Sequence, residues 1–215
     1  MTADAPDCLS IVSELGQRWE ILNNTYKPFP CGVVLNPVLE ACLGLSAHPE
    51  LLRQGLGAIE RIELIGHPLL RQRTDRPKIA TGRESQVSAQ HAVAVALTRG
   101  KAGLAEFSDE AVADNSLRVL GQKISFTDDA SFDVEAATVR LYLQRGQILE
   151  VAIDIARGAR AKPLSDQDIE NKVRALCDYG GSGCDPEPLI EAVWSMDRAV
   201  DVGQLMQRVA GHAKV

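Results

Sequence analysis

The sequence predicts an α+β fold: an antiparallel sheet of about four to five strands, helices packed on that sheet, and further helices towards the C-terminus. Residues 137–143 and 148–155 each alternate apolar and polar side chains, and the short connection between them suits a hairpin loop. Apolar residues at helical spacing occur both before and after this pair. Because the strands are grouped and helices flank them, the helices are expected to lie on one face of the sheet.

Three further segments are predicted to be strands. Residues 18–22 combine aromatic and aliphatic side chains, and residues 59–65 are rich in β-branched side chains and end before a Gly-His-Pro breaker. Residues 123–127 have a similar composition. Together with the hairpin, these segments supply the strands of the predicted sheet.

Two helices are predicted in the first half of the chain. Apolar positions in residues 37–54 follow helical spacing, with a His-Pro pair inside the segment as a possible break. A capping box at residues 81–84 predicts a second helix, which ends at Gly100. Because residues 92–97 are apolar all round, this second helix should be buried.

Helices are also predicted in the remaining parts of the chain. Short helices should follow Ser108 and Asp114, which are both good N-caps, and a longer one should span residues 165–179. Two closing helices are predicted at residues 188–195 and 202–209. The chain therefore begins and ends with helical segments around the strands.

Residues 66–84 are predicted to form a basic loop that is interrupted by prolines. In a chain of net charge −6, its local excess of cations stands out. The cationic side chains are Arg71, Arg73, Arg76, Lys78 and Arg83. They either form a solvated loop or attract carboxylates electrostatically.

The composition is that of an ordinary globular protein, with 45% hydrophobic and 24% charged residues among 215. The net charge of −6 argues against a nucleic-acid partner and against a polybasic membrane-binding face. Five cysteines, with no C-x-x-C pair, predict reduced thiols rather than a zinc site or a disulfide framework. No apolar run reaches the roughly 20 residues that cross a bilayer, so we expect a cytoplasmic protein.

The segment of residues 26–32 (Tyr-Lys-Pro-Phe-Pro-Cys-Gly) places one lysine on a backbone that two prolines stiffen. Asn36 and Pro37 follow and open a predicted helix. A lysine on a rigid turn beside a helix N-terminus is well placed to meet an anionic ligand. The alternative is a solvated lysine on a stiff connector, since most lysines are solvated.

Four segments of the chain match a known family in order and spacing. They are Lys-Pro-Phe-Pro-Cys at residues 27–31, the helix at 88–100, Phe-Ser-Asp-Glu at 107–110, and Lys-Pro-Leu-Ser at 162–165, which leads to Lys172. On these segments the chain resembles the C-terminal half of the MmgE/PrpD family. That family includes 2-methylcitrate dehydratase, cis-aconitate decarboxylase and iminodisuccinate epimerase.

The resemblance implies a two-domain enzyme in which a larger helical domain precedes a smaller α+β lid domain. We therefore expect residues 1–25 to be a remnant of, or a linker from, a helical domain. Residues 26–165 should form the lid domain, and residues 166–215 a C-terminal helical segment. Most of the helical domain is then expected to be missing, as in a fragment, a split gene product or a member that has lost half its site.

The resemblance also implies candidate site residues. Lys27 stands at the family's motif lysine and is expected to act on the substrate carboxylates as a catalytic point charge. His91, where many members have a tyrosine, is the second catalytic candidate because histidine transfers protons near neutral pH; the alternative is a neutral core histidine. Asn36, where several members have a histidine, is a candidate substrate-binding residue. So are Arg83 and Ser88, which border the start of the helix that carries His91; the alternative for both is a structural role. No metal site is expected.

Two hypotheses of function follow from the resemblance. In the first, the chain is the lid of a cofactor-independent lyase or isomerase that acts on a small di- or tricarboxylate. Proton abstraction next to a carboxylate would need a base from the helical domain, so the chain should be inactive alone. A separate helical-domain chain is then a possible partner, and the family implies a homodimer. In the second hypothesis, the chain is a non-catalytic binding or assembly module built on the lid fold.

Overall fold

A computed structural model of the chain describes residues 12–181 and 183–204. The described α-helices are α1 (Asn36–Ser46), α2 (Pro49–Gln54), α3 (Pro68–Thr74), α4 (Gly82–Ser85), α5 (Ala89–Arg99), α6 (Asp109–Ala113), α7 (Asn115–Gly121), α8 (Asp166–Gly180) and α9 (Pro186–Trp194). The described strands are β1 (Ile59–Gly66), β2 (Ile124–Asp128), β3 (Ala137–Leu143) and β4 (Ile148–Ile153). The α+β class predicted from the sequence is therefore confirmed.

The four strands form one mixed sheet in the order β2-β1-β3-β4. β1 pairs antiparallel with β3, and β3 pairs antiparallel with β4. The β1–β2 pair is parallel, so the prediction of a purely antiparallel sheet was wrong in this respect. The reason is the connection between the two strands: it contains the helices from α3 to α7, which is ample for the crossover that parallel strands require.

The two faces of the sheet differ in chemistry. One face carries buried side chains such as Ile62, Leu64 and Val139, and α1 covers it while packing against α5 on its other side. The opposite face is polar, and Tyr142 there donates a hydrogen bond of 2.7 Å from its hydroxyl to Glu63. The buried helices α1 and α5 therefore lie on one side of the sheet.

The buried helix α5 begins later than the sequence predicted. The capping box at Thr81 and Glu84 is present, but it opens only the single-turn helix α4. The chain then breaks, and Ser88 caps α5 by accepting a hydrogen bond from the amide of His91. α5 ends at Gly100 as predicted, where φ is 61°. Two short cap sequences in succession thus give two helices rather than one.

Other segments also differ from the predictions. Residues 18–22 form no strand. They overlap a 3-10 turn, Glu20–Asn23, and their apolar side chains are exposed because no neighbouring strand pairs with them. The predicted loop at 66–84 contains α3, whose N-terminus is capped by His67. The closing helix predicted at 202–209 extends beyond the described residues. None of the described helices has the length and apolar character needed to span a membrane.

Candidate functional site

The backbone around Lys27 is fixed by contacts with two distant parts of the chain. The amide of Tyr26 donates a hydrogen bond of 3.0 Å to the carbonyl of Gly158, in the loop after β4. On α8, Lys172 donates from Nζ to the carbonyl of Lys27 over 2.9 Å. The first and fourth family-like segments of the sequence therefore meet at Lys27.

Gly158 makes the first of these contacts possible. Its φ is 86°, in the left-handed region that favours glycine. A Cβ atom at this position would lie 1.9 Å from the carbonyl oxygen of Tyr26. The close approach of the loop to the Lys27 segment thus requires the absence of a side chain at residue 158.

Lys27 borders a small cleft, which we call the Lys27 cleft. Its lining also includes Asn36, Glu135 and Arg157. Lys27 is exposed, and its ammonium group has neither a hydrogen bond nor an ion pair within the described part of the chain. Arg157 already forms an ion pair, because its Nη2 lies 3.4 Å from Oδ1 of Asp168 on α8. The cleft therefore combines the unpaired ammonium group of Lys27, a guanidinium group that is already paired with Asp168, and the carboxylate of Glu135.

Cys31, four residues after Lys27, is a buried thiol rather than a nucleophile. Cys31 is buried, and its Sγ donates a weak hydrogen bond of 3.8 Å to Oδ1 of Asn36, which is itself 6% exposed. Burial raises the pKa of the Cys31 thiol to about 12, although the positive charge of Lys27 acts in the opposite direction. At neutral pH this sulfur is protonated, so it packs and does not attack a substrate.

Ser88 and His91 lie in a different cavity, of about 280 Å³, which we call the His91 pocket. Lys78, Gln90 and Arg118 also line it. The guanidinium group of Arg118 donates to the carbonyl of Val112 at 3.1 and 3.2 Å, whereas Lys78 has no such bond within the described residues. The pocket therefore holds two cationic side chains, like the Lys27 cleft, but Ile79, Val112 and Leu117 give it an apolar part as well.

His91 is held as a neutral imidazole. Its Nε2–H donates a hydrogen bond of 2.7 Å to the carbonyl of Glu106, and its ring packs 5.6 Å, centroid to centroid, from Phe107. Burial is the main cause that lowers the pKa of His91; the charge of Arg99 adds to this effect, and the bond to Glu106 opposes it. Nδ1 is then the ring nitrogen left as a proton acceptor.

The hydroxyl group of Ser88 forms two hydrogen bonds with the backbone. Its hydroxyl donates to the carbonyl of Arg76 at 2.7 Å and accepts from the amide of His91 at 3.3 Å. It ties the basic segment to the start of α5. These bonds use the hydrogen of the hydroxyl, so a substrate could reach only its remaining lone pair.

Arg83 lies on a third surface, which it shares with Asp109 and Tyr179. Among the described cavities, the structure brings Lys27 together with Asn36 and brings Ser88 together with His91. It places no more than two of the five predicted residues in one cavity. The link between the groups is the backbone: the amide of Gly32 donates to the carbonyl of Gln86 at 2.8 Å, just before α5.

Sequence reasoning missed Arg157 and Glu135. Both lie next to strands of the hairpin and far along the chain from Lys27, so only the fold brings them to the cleft. The dipeptide Arg157-Gly158, a few residues after an alternating strand, was the one available signal. Among the described residues, no group of three or more His, Cys, Asp or Glu is arranged to hold a metal ion.

Comparison with known proteins identifies the family. A sequence model described as the MmgE/PrpD C-terminal domain matches residues 29–198. This region includes all four strands and the helices from α1 to α9, and it begins just after Lys27. No curated protein sequence matches the chain. Because the match spans most of the chain, the protein belongs to the MmgE/PrpD family and contains its C-terminal domain.

Proposed function

We propose that this chain is the carboxylate-binding lid part of a cofactor-independent lyase or isomerase that acts on a small di- or tricarboxylate. The observation that carries the proposal is the state of Lys27. Its exposed ammonium group has no partner within the described residues, yet its backbone is fixed by Gly158 and Lys172. A lysine whose backbone is fixed and whose ammonium group is unpaired is suited to a carboxylate ligand.

The proposed chemistry is removal of a proton next to a carboxylate. Negative charge then develops on the substrate as an enolate, and a nearby cation stabilises it more strongly than it stabilises the ground state. Lys27, assisted by Arg157, would supply that charge. Loss of water or carbon dioxide, or return of the proton to the other face, would complete a dehydration, a decarboxylation or an epimerisation.

In this proposal the remaining site residues have separate tasks. Asn36 would orient a carboxylate in the Lys27 cleft, while Ser88 in the His91 pocket and Arg83 on the third surface would each contact a carboxylate there. His91 would transfer a proton through Nδ1, because Nε2 is bound to Glu106. The main proton acceptor would come from a helical domain, in the same or another chain, and the protein would act as a cytoplasmic homodimer.

The alternative is a non-catalytic binding or assembly module. Its support is the hydrogen bonding of two predicted site residues: Ser88 bonds to Arg76, and His91 bonds to Glu106, as structural residues do. Activity restored by a helical-domain chain that co-purifies with this protein would count against the alternative.

Binding is tested by titration calorimetry of the purified protein with a panel of short di- and tricarboxylates. We expect at least one to bind, and Lys27→Ala to weaken it by about tenfold or more, since a hydrogen bond to a charged group contributes roughly 1.5–3 kcal/mol. The matched control is Lys101→Ala, at an exposed lysine remote in sequence, which should leave the affinity unchanged. Absence of binding in the wild type and in both variants would favour the non-catalytic module.

Turnover is measured on the same protein. If no helical domain is present, dehydration, decarboxylation and epimerisation should all be negligible, because the proposal assigns the main proton acceptor to that domain. Robust turnover by the 215 residues alone would contradict this division of roles.

A further inference from the structure

The His91 pocket is far larger than the Lys27 cleft. Its volume is about 280 Å³, whereas that of the Lys27 cleft is about 20 Å³. A space of the smaller size holds little more than one water molecule, while pockets for drug-sized ligands measure about 300–1,000 Å³. The His91 pocket can therefore enclose a small organic molecule, which the Lys27 cleft of this chain can contact only at one end.

Hydrogen bonds to the start of α5 fix one wall of this pocket. The amide of Arg76 donates to Oε1 of Gln90 at 3.0 Å, and the carbonyl of Arg76 accepts from the hydroxyl of Ser88 at 2.7 Å. Nε2 of Gln90 also donates to Oδ1 of Asp75 at 2.7 Å. The segment continues into residues 77–79, which line the pocket. Because the protein itself makes these bonds, a ligand would have little of this wall to order on binding.

The charged side chains that line the pocket are cationic. They are Lys78 and Arg118, and none of the described lining residues is acidic. Neither cation forms an ion pair within the described part of the chain. Nε and Nη2 of Arg118 donate to the carbonyl of Val112, which leaves Nη1 for a ligand. In a chain of net charge −6, two cations without a counter-ion at one pocket favour an anionic ligand.

Part of the lining is apolar. Val112 and Leu117 are only 3% and 2% exposed, and Ile79 is half-buried. A second carboxylate against these side chains would lose its hydration without gaining a partner, which is unfavourable. An alkyl chain would instead be removed from water there, which is favourable. The lining therefore suits a ligand with one anionic end and an apolar body.

We propose that the His91 pocket is a second ligand-binding site, for a short-chain aliphatic monocarboxylate. The carboxylate accepts hydrogen bonds from Lys78 and Arg118, and the alkyl chain lies against the apolar side chains of the lining. The pocket and the Lys27 cleft have no lining residue in common. The inference goes beyond the proposed function, because this ligand needs neither Lys27 nor a helical domain.

The test is titration calorimetry of the full chain with straight-chain carboxylates from acetate to hexanoate. Affinity should rise about fourfold for each methylene that the pocket buries. Hexan-1-ol, which lacks the charge, and inorganic phosphate, which lacks the apolar part, should each bind about tenfold or more weakly than hexanoate. Equal affinity for acetate and hexanoate, equal affinity for hexan-1-ol and hexanoate, or no binding of any carboxylate would overturn the proposal.

Variants assign the two parts of the ligand to their contacts. Lys78→Gln, at an exposed side chain, should weaken hexanoate about five- to tenfold, and the matched control Lys101→Gln should leave it unchanged. Ile79→Ala should reduce the gain per methylene while acetate binds as before. Lys27→Ala should bind hexanoate like the wild type, even if it loses a dicarboxylate. Wild-type affinity in Lys78→Gln, or loss of hexanoate in Lys27→Ala, would refute a separate site.

Amide chemical shifts locate the bound ligand. Hexanoate should shift the amide signals of Lys78, Ile79 and Leu117 saturably, with the dissociation constant that calorimetry gives. The signals of residues 26–36 should move no more than they do in sodium chloride of equal ionic strength. Shifts centred on residues 26–36, or shifts that do not saturate, would contradict binding in the His91 pocket.

Discussion

Gly158 and Lys27 illustrate how much of the candidate site depends on single residues. Lys27 is visible in the sequence because a rigid Lys-Pro-Phe-Pro-Cys segment surrounds it. Gly158 has no such signal: its importance follows from a φ of 86° and from its contact with the carbonyl of Tyr26. At the residue scale, the sequence therefore predicts the candidate binding residue, Lys27, but not the residues that fix its backbone.

Gly158→Ala should lower the free energy of unfolding by about 2–4 kcal/mol, because it combines a left-handed backbone with a severe overlap. Urea denaturation measures this change. The matched control is Gly146→Ala, since Gly146 has a similar φ of 77° but no atom within 4 Å of the added Cβ. The control should lose only the conformational part, about 1–2 kcal/mol. Equal losses in the two variants would show that the contact with Tyr26 is unimportant.

His91 should make the stability depend on pH. Burial lowers its folded-state pKa below the ordinary value of about 6.5, so on acidification the unfolded chain takes up the proton first. The free energy of unfolding should therefore fall as the pH drops from about 7.5 to about 5.5. His91→Gln should show a smaller fall in urea denaturation over the same range. An equal fall in wild type and variant would contradict a buried, neutral histidine.

At the scale of elements, α8 connects the C-terminal helices to the Lys27 segment. Lys172→Met preserves the apolar stem of the side chain and removes the donor to the carbonyl of Lys27. We expect carboxylate affinity to fall about two- to fivefold, as suits one exposed bond of roughly 0.5–1 kcal/mol. Calorimetry measures the affinity, with Lys101→Met as the control. An affinity equal to that of the wild type would show that α8 does not support Lys27.

An element can be predicted from the sequence when the pattern that determines it is local. β3 was predicted at its observed bounds because its alternation is local. The parallel pairing of β1 with β2 was not, since it depends on how the intervening helices cross the sheet. Residues 18–22 have the composition of a strand, but their exposed side chains find no partner. Local periodicity thus predicts elements well and their partners less well.

At the scale of the whole molecule, the cationic groups form separate patches rather than one site. Lys27 and Arg157 lie at one cleft, Lys78 and Arg118 at the His91 pocket, and Arg83 on a third surface. This arrangement occurs in a chain whose net charge is −6. The sequence predicted the family and the class of fold, but it could not predict this separation, because each patch joins residues that are distant along the chain.

The central claim is that a carboxylate binds at Lys27, and lysine NMR tests it most directly. In protein labelled with 13C-lysine, the Cε signal of Lys27 is identified by its loss in Lys27→Arg. Addition of the best-binding dicarboxylate should shift this signal saturably, while the signal of Lys101 moves no more than it does in sodium chloride of equal ionic strength. Equal shifts at both lysines, or no shift at Lys27, would contradict the proposed site.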